Sequence, residues 1–124
     1  MIRINVGGLA AKEIAALAVQ IGGDQVEVRV GTDIVGARQV AMGMADYYFG
    51  ACATGRGGAL AMAMAYLGVS NCFTVSMTGR PPKEKEVQEA VAAGKKAFGF
   101  TTDHVDLAVP MIVRAILARH RQEG

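Results

Sequence analysis

Residues 47–58 read YYFGACATGRGG, an almost unbroken apolar run followed by a glycine-rich stretch. The apolar run predicts a central strand over residues 47–53, because a parallel strand covered on both faces has no wet side. The glycines predict a tight loop, and the small apolar residues 59–67 predict a buried helix that ends at Gly68. A strand, a short loop and a helix in this order form the repeating unit of an α/β fold.

The same order of strand and helix recurs four more times along the chain. Further strands are predicted over residues 2–6, 26–30, 72–77 and 96–101. Residues 26–30 alternate between apolar and charged, which is typical of a strand near a sheet edge. The last helix is expected from Thr102 or Asp103 to about Arg121, with Pro110 either kinking it or marking its true start. The fold class is therefore α/β, a three-layer Rossmann-like sandwich on a five-stranded parallel sheet.

Length and composition exclude several classes of protein. The 124 residues have room for one domain, residues 1–124. With 52% hydrophobic and 19% charged residues, the chain is apolar enough to bury a core. The net charge of +2 is spread along most of the chain, and there is no tryptophan to stack on bases, so we expect no nucleic-acid partner.

Location and assembly are predicted from the same composition. The uncharged residues 57–78 are interrupted by glycine and polar residues, so no membrane-spanning helix is expected. The amino terminus reads as a strand rather than a signal peptide, and Cys52 and Cys72 lie in apolar stretches, which favours a reducing, cytoplasmic location. Because small apolar-rich domains often need an interface, we expect a homodimer or higher homo-oligomer.

The glycine-rich loop is the strongest predicted binding element. Parallel sheets bind ligands beyond the carboxyl ends of their strands, so the loops after the predicted strands are expected to surround one site. Glycines free backbone N–H groups to face a ligand, and a helix start adds positive partial charge, so the expected partner is a small anionic metabolite. The expected ligand-binding residues are Gly7, Gly8, Thr54, Gly55, Arg56, Gly57 and Gly58.

Nucleotide binding is not favoured by this loop. It lacks the Lys-Ser/Thr ending of the phosphate-binding loop of NTPases, and the first turn after a strand has Gly7-Gly8 in place of G-x-G-x-x-G. The alternative interpretation is that the glycines only permit a tight crossover.

Cys52 and His104 are the candidate catalytic residues. Cys52 ends a strand before a helix, a position that favours a thiolate able to act as a base, and His104 follows another strand at the same edge. The alternatives are an inert core thiol for Cys52 and a solvated first-turn imidazole for His104, while Cys72 is expected to fill the core. With two cysteines outside any C-x-x-C pair and only two histidines, no metal and no cofactor are predicted.

Residues 45–59, followed by Gly68-Val69, resemble the ribose-5-phosphate isomerase B and galactose-6-phosphate isomerase family, whose members carry C-G-T-G-x-G after a strand. The resemblance implies an isomerase-B-like fold. It also implies that Cys52 moves a proton between adjacent carbons of a sugar phosphate while Thr54 and the following glycines stabilise the enediolate.

The chain departs from that family at the ring-opening groups. The family places an Asp-His pair after the first strand, where this chain has Gly8-Leu9, and a histidine after the fourth strand, where it has Ser76-Met77-Thr78.

A second resemblance matches the chain in length. It is similar to the uncharacterised bacterial YhfU-like family and to the related glycine-rich SFCGS proteins, which share the arrangement of strand, cysteine and glycine loop. This resemblance implies a role in the use of carbohydrates or other small metabolites.

The leading functional expectation is binding of a sugar phosphate or sugar acid, with isomerase-like proton transfer by Cys52 as the possible enzyme activity. One alternative is a phosphocarrier resembling the IIB proteins of the sugar phosphotransferase system. Those proteins carry their cysteine after the first strand, where this chain has Gly7-Gly8. The other alternative is a regulatory or structural subunit without catalysis, which the missing ring-opening groups favour.

Overall fold

Strands and helices alternate along the chain in the computed structural model, which describes residues 1–54 and 58–123. The strands are β1 (Ile2–Gly8), β2 (Val26–Val30), β3 (Tyr47–Cys52), β4 (Cys72–Thr74) and β5 (Ala97–Thr101). The helices are α1 (Ala11–Gly22), α2 (Asp33–Ala41), α3 (Ala61–Leu67), α4 (Glu84–Ala92) and α5 (Val105–Glu123).

The five strands form one parallel sheet in the order β2-β1-β3-β5-β4. Helices α1, α4 and α5 pack on one face, whereas α2 and α3 pack on the other, which gives three layers. The predicted α/β class and parallel sheet are confirmed. So are the edge position of β2 and the central position of β3.

The face under α1, α4 and α5 carries the larger side chains. Phe49 and Phe98 lie on neighbouring strands with ring centroids 6.1 Å apart and planes at 90°, the edge-to-face geometry that aromatic pairs prefer. Ile14, Val87 and Ile112 cover them from the three helices, and all five side chains are fully buried. This face supplies most of the apolar burial that holds the sheet together.

The opposite face carries a row of glycines instead. Gly7 pairs with Gly50 and Gly50 pairs with Gly99, so three neighbouring strands have no side chain at the same level. A β-carbon at Gly50 would lie 2.9 Å from the Ala59 carbonyl oxygen, and one at Gly99 would lie 2.6 Å from Leu60 Cγ. The missing side chains therefore let the chain before α3 lie directly on the sheet.

The predicted end of β4 and the predicted start of α3 are wrong because contacts with residues far along the chain determine both boundaries. Strand β4 ends at Thr74 rather than at residue 77, because the Ser76 hydroxyl accepts the Thr101 backbone N–H at 3.2 Å and Met77 turns back to pair with Arg80. Helix α3 begins at Ala61, two residues late, since the preceding residue packs down onto β5.

Helix α5 excludes one of the two alternatives left open for Pro110. The helix begins at Val105 and runs through Pro110, so the proline does not mark its start. The ring removes the N–H that would bond the carbonyl of Asp106, but Asp106 is exposed and water can solvate that carbonyl.

Candidate functional site

The carboxyl ends of β1, β3 and β5 form one rim of the sheet. Because all pairings are parallel, the residues that end these strands, Gly8, Cys52 and Thr101, lie at the same edge. The chain leaves β1 toward β2 on one side and reaches β3 on the other, so the strand order reverses between β1 and β3. A reversal of this kind leaves a crevice in which open α/β sheets bind ligands.

Cys52 ends the central strand with a half-buried side chain. Its register partner on β5 is Thr101, so the two side chains stand on the same face of adjacent strands, about 5 Å apart at the backbone. Neither cysteine forms a disulfide within the described chain. Cys72 is buried and its Sγ donates to the Gly68 carbonyl at 3.5 Å, which agrees with the expected core role.

Thr101 connects the end of β5 to His104. The Thr101 hydroxyl lies 2.6 Å from His104 Nδ1 and 3.4 Å from the Ser76 hydroxyl. Thr101 and Ser76 are completely buried, and the His104 side chain is 12% exposed. Cys52 and His104, the two predicted catalytic residues, therefore both neighbour Thr101, the first as its register partner and the second as its hydrogen-bond partner.

Asp103 adds a carboxylate to this group. Its Oδ1 lies 3.6 Å from His104 Nδ1. A hydrogen bond with the Thr101 side chain is the main cause that lowers the pKa of the Asp103 carboxyl, and His104 adds to the effect. The carboxylate is exposed to solvent and stays ionised at neutral pH.

The loop after β3 is tied to the loop after β4. The Thr78 backbone N–H and hydroxyl both approach the Thr54 carbonyl oxygen, at 3.3 and 3.4 Å. Met77 and Arg80 exchange backbone hydrogen bonds of 3.1 and 2.9 Å, which places Arg80 in the same turn as Thr78 with an exposed side chain. The predicted ligand residues Thr54 and Gly58 are also exposed.

Three predicted ligand residues, Gly55, Arg56 and Gly57, lie outside the described residues.

Gly7 and Gly8, also predicted to bind ligand, have clear structural roles. A β-carbon at Gly7 would lie 2.8 Å from the Tyr48 hydroxyl, so this position lets Tyr48 lie flat on the sheet. Gly8 has φ +80°, a conformation that glycine adopts without strain. The following amide of Leu9 donates to the Ala51 carbonyl at 3.1 Å.

Sequence reasoning missed four residues of this rim. Ser76 and Thr101 are buried hydroxyls that organise His104, and Thr78 and Arg80 belong to the turn tied to the Thr54 carbonyl. The available signal was a polar residue at the end of an apolar strand, which applies to Ser76 and Thr101.

Within residues 1–54 and 58–123, no three His, Cys, Asp or Glu side chains lie together in a group able to hold a metal ion. None of the helices in the same ranges has both the length and the apolar character that a bilayer crossing requires.

Residues 2–116 match the family described as "Protein of unknown function DUF2620", and the chain belongs to this family. It is 35% identical over 113 residues to the uncharacterized protein YhfU of Escherichia coli strain K12, an alignment that covers 91% of this chain and 97% of the relative. YhfU of Shigella flexneri matches to the same extent. The expected YhfU-like membership is confirmed. No solved structure matches the chain significantly.

Proposed function

We propose that this member of the DUF2620 family binds a small anionic metabolite, a sugar phosphate or a sugar acid, at the carboxyl rim and transfers a proton on it. The supporting observation is the pairing of Cys52 with Thr101, whose hydroxyl lies 2.6 Å from His104 Nδ1. A thiol and an imidazole on adjacent strand ends can serve the two proton positions of an aldose–ketose conversion.

Three features of the rim favour an anion. Helix α5 begins at this edge, so the positive end of its dipole faces the rim, although Asp103 and Asp106 offset part of it. Arg80 supplies an exposed guanidinium in the turn that contacts the Thr54 carbonyl. The sequence between Thr54 and Gly58 is rich in glycine, which is typical of loops that bind anions through backbone N–H groups.

The proposed step moves one proton between two carbons. The Cys52 thiolate takes the proton from the carbon beside the carbonyl, the C–H electron pair forms the C=C bond of an enediolate, and the carbonyl oxygen becomes an oxyanion. His104 passes the hydroxyl proton to that oxyanion. The Cys52 thiol then returns its proton to the neighbouring carbon. The electron pair of the C=C bond forms the new C–H bond, the oxygen that lost its proton becomes the new carbonyl, and the thiolate is restored, so atoms and charge balance.

Deuterium exchange tests the catalytic part of the proposal. Pentose and hexose phosphates and sugar acids are incubated with the protein in D2O, and mass spectrometry detects one deuterium on the carbon next to the carbonyl. We expect Cys52→Ser to abolish the exchange and Cys72→Ser to retain it, because Cys72 is buried against α3. Absence of exchange with every compound, or full exchange by the Cys52→Ser variant, would contradict the proposed catalysis.

Alkylation tests binding separately. Burial raises the pKa of the Cys72 thiol, with Lys95 opposing the effect, so iodoacetamide should label Cys52 well before Cys72. We expect a bound sugar phosphate to slow labelling of Cys52 while the slow labelling of Cys72 stays constant. If neither phosphate nor any sugar phosphate or sugar acid protects Cys52, the rim is not the anion site.

A further inference from the structure

We infer that two copies of this chain associate through the outer edge of β2, antiparallel about Val28, so that their two sheets join into one. This edge is open because β2 is the last strand of the sheet and, within residues 1–54 and 58–123, pairs only with β1. An edge strand presents unpaired N–H and C=O groups that a further strand can bond. The inference concerns assembly and does not depend on the proposed function.

The hydrogen bonds between β1 and β2 show which residues of β2 face outward. The Gly31 N–H donates to the Val6 carbonyl at 2.9 Å. Residues that bond the neighbouring strand alternate along a parallel strand, so every second residue before Gly31 also faces β1. The N–H and C=O groups of Val28 and Val30 therefore point away from the sheet.

An antiparallel copy satisfies these outward groups when Val28 lies opposite Val28 of the second copy. Each Val28 N–H then donates to the carbonyl of the other, and each Val30 N–H donates to the opposite Val26 carbonyl, as in an antiparallel ladder. The same residues contact each other on both sides of a two-fold axis, so the contact closes a dimer.

The charged residues of β2 favour this register. Glu27 and Arg29 alternate with the valines, and their side chains are 40% and 63% exposed. In the antiparallel pairing, Glu27 lies opposite Arg29 of the second copy, so both cross-strand pairs about Val28 have opposite charge, which stabilises a sheet. Lysines often protect an edge strand because they repel a copy, whereas the charges of β2 attract one.

Helix α1 offers an apolar side chain on the other face of β2. A β-carbon at Gly22 would lie 2.6 Å from the Val26 side chain, so this side of α1 faces β2. Val19 precedes Gly22 by about one helical turn and therefore lies on the same side. It is nevertheless 49% exposed.

Val19 also lies near the level of the inferred two-fold axis. Helix α1 connects two parallel strands, so it runs antiparallel to β2. Val19 is displaced from Gly22 by about 5 Å along the helix, and Val28 is displaced from Val26 by about 7 Å in the same direction. The backbone, the charges and the exposed valine thus all match a second copy about one point, Val28.

Sedimentation velocity of the wild-type chain from about 1 to 500 μM tests the association. One strand and one exposed helical residue per copy form less contact than the roughly 1,200–2,000 Å² of a stable interface, so we expect a dissociation constant in the micromolar range. The mass should double across this range of concentrations. A chain that stays monomeric throughout would overturn the inference and leave the edge to a different protein.

Charge reversal tests the register. Glu27→Arg and Arg29→Glu each place like charges in both cross-strand pairs, so each variant alone should dimerise at least about tenfold more weakly. An equimolar mixture of the two variants has opposite charges in both pairs and should form a heterodimer, which native mass spectrometry identifies by its mass. Glu89→Arg, at an exposed site on α4, is the control and should dimerise as the wild type does.

Val19→Lys tests the apolar contact, with Gln20→Lys as the matched control. Both residues are exposed, so both variants should fold, and circular dichroism checks this. Gln20 points about 100° away around the helix, so we expect at least about tenfold weaker dimerisation for Val19→Lys and none of this loss for Gln20→Lys. Wild-type dimerisation of Val19→Lys, or a mixture of the two charge variants that stays monomeric, would overturn the antiparallel arrangement about Val28.

Discussion

The carboxyl ends and the amino ends of the parallel strands, here called the carboxyl edge and the amino edge, each have a histidine that is hydrogen-bonded to a hydroxyl. The hydroxyl belongs to a threonine at the carboxyl edge and to a tyrosine at the amino edge. At the carboxyl edge, His104 bonds Thr101 at the exit of a strand, beside loops with exposed residues. At the amino edge, His120 Nε2 lies 2.9 Å from the Tyr47 hydroxyl, with the two rings 5.8 Å apart at 75°. The second contact joins the end of α5 to the start of β3, so it holds elements together.

Other polar side chains of the amino edge also form ion pairs or hydrogen bonds with the protein itself. Arg3 pairs with Asp46, Lys95 Nζ donates to the Ser70 carbonyl at 2.5 Å, and Arg119 donates to the Val91 carbonyl at 2.7 Å. A cavity of about 210 Å³ lies at this edge, and three of its charged lining residues are bonded within the protein: Lys95 and Arg119 donate to backbone carbonyls, and Asp46 pairs with Arg3. The comparison teaches that a concave, charged surface can be built from polar groups that hold the fold together, so its shape and charge do not by themselves mark a site.

The largest expected effect comes from the glycine row beneath the carboxyl edge. Gly50→Ala would bring a β-carbon to 2.9 Å from the Ala59 carbonyl oxygen and from the Tyr48 hydroxyl, so the chain before α3 must move off the sheet. We expect the free energy of unfolding to fall by about 2–3 kcal/mol, the upper range for overpacking a tight core. Urea denaturation with an unchanged slope measures it.

Gly31→Ala is the matched control for Gly50→Ala. A β-carbon at Gly31 has no neighbour within 4 Å, so we expect a change below about 0.5 kcal/mol. Equal effects of the two variants would show that the glycine row does not hold the carboxyl edge in place.

The fold was predictable because its signals are local. The apolar run of β3 and the alternation of β2 each follow from burial of one strand, and parallel topology follows from the alternation with helices. The end of β4 was not predictable, since the Ser76 hydroxyl replaces a backbone acceptor for Thr101, a residue far along the chain. The glycine row was hidden for the same reason: Gly7, Gly50 and Gly99 meet only when strand order and register are known.

The sequence predicts which loops form the candidate site, but it does not predict the hydrogen bonds between their side chains. Cys52 and His104 follow strands whose carboxyl ends must share one edge, so sequence alone could place them near one rim. The adjacency of β3 and β5 sets Cys52 beside Thr101, and a five-stranded parallel sheet allows other orders. The roles of Thr101 and Ser76 depend on that order and therefore needed the structure.

A moderate effect is expected at the amino edge, where Asp46 accepts the Arg3 backbone N–H at 2.8 Å and pairs with its guanidinium at 3.3 Å. Burial alone would raise the pKa of Asp46, but the hydrogen bonds from Arg3 outweigh it and hold the pKa below the usual 3.8. Asp46→Ala should cost about 1 kcal/mol of unfolding free energy near neutral pH, a value limited by partial exposure of the pair.

The pH dependence of that cost has a definite sign. A carboxyl with a lowered folded pKa stabilises the fold above its unfolded pKa, and the stabilisation disappears as pH falls through the folded pKa. The difference between wild type and Asp46→Ala should therefore be full at about pH 6 and shrink toward about pH 2.5. Urea midpoints at both pH values check this, and a difference that grows in acid would contradict it.

Glu27→Ala is the control for Asp46→Ala. Glu27 pairs with Arg29 at 2.7 Å on the edge strand, but both side chains are more exposed than those of the Arg3–Asp46 pair. We expect a loss below about 0.5 kcal/mol at either pH.

The smallest effect, and the one that tests the comparison most finely, is expected for Tyr48→Phe below the rim. The Tyr48 hydroxyl is buried and has no hydrogen-bond partner among the described residues. Burial and then the Asp33 carboxylate raise the pKa of the phenol, so it stays neutral. Removing an unsatisfied hydroxyl should raise the free energy of unfolding by up to about 1 kcal/mol, as urea denaturation would show.

Tyr47→Phe makes the opposite change at the amino edge, where the hydroxyl does have a partner in His120. We expect a loss of about 1 kcal/mol there, because the imidazole at 2.9 Å is left without its hydrogen bond. Two neighbouring tyrosines on the central strand should thus respond to the same substitution with opposite signs. A loss at Tyr48 as large as the loss at Tyr47 would mean that both hydroxyls are structural, and the contrast between the bonded Tyr47 hydroxyl and the unbonded Tyr48 hydroxyl would fail.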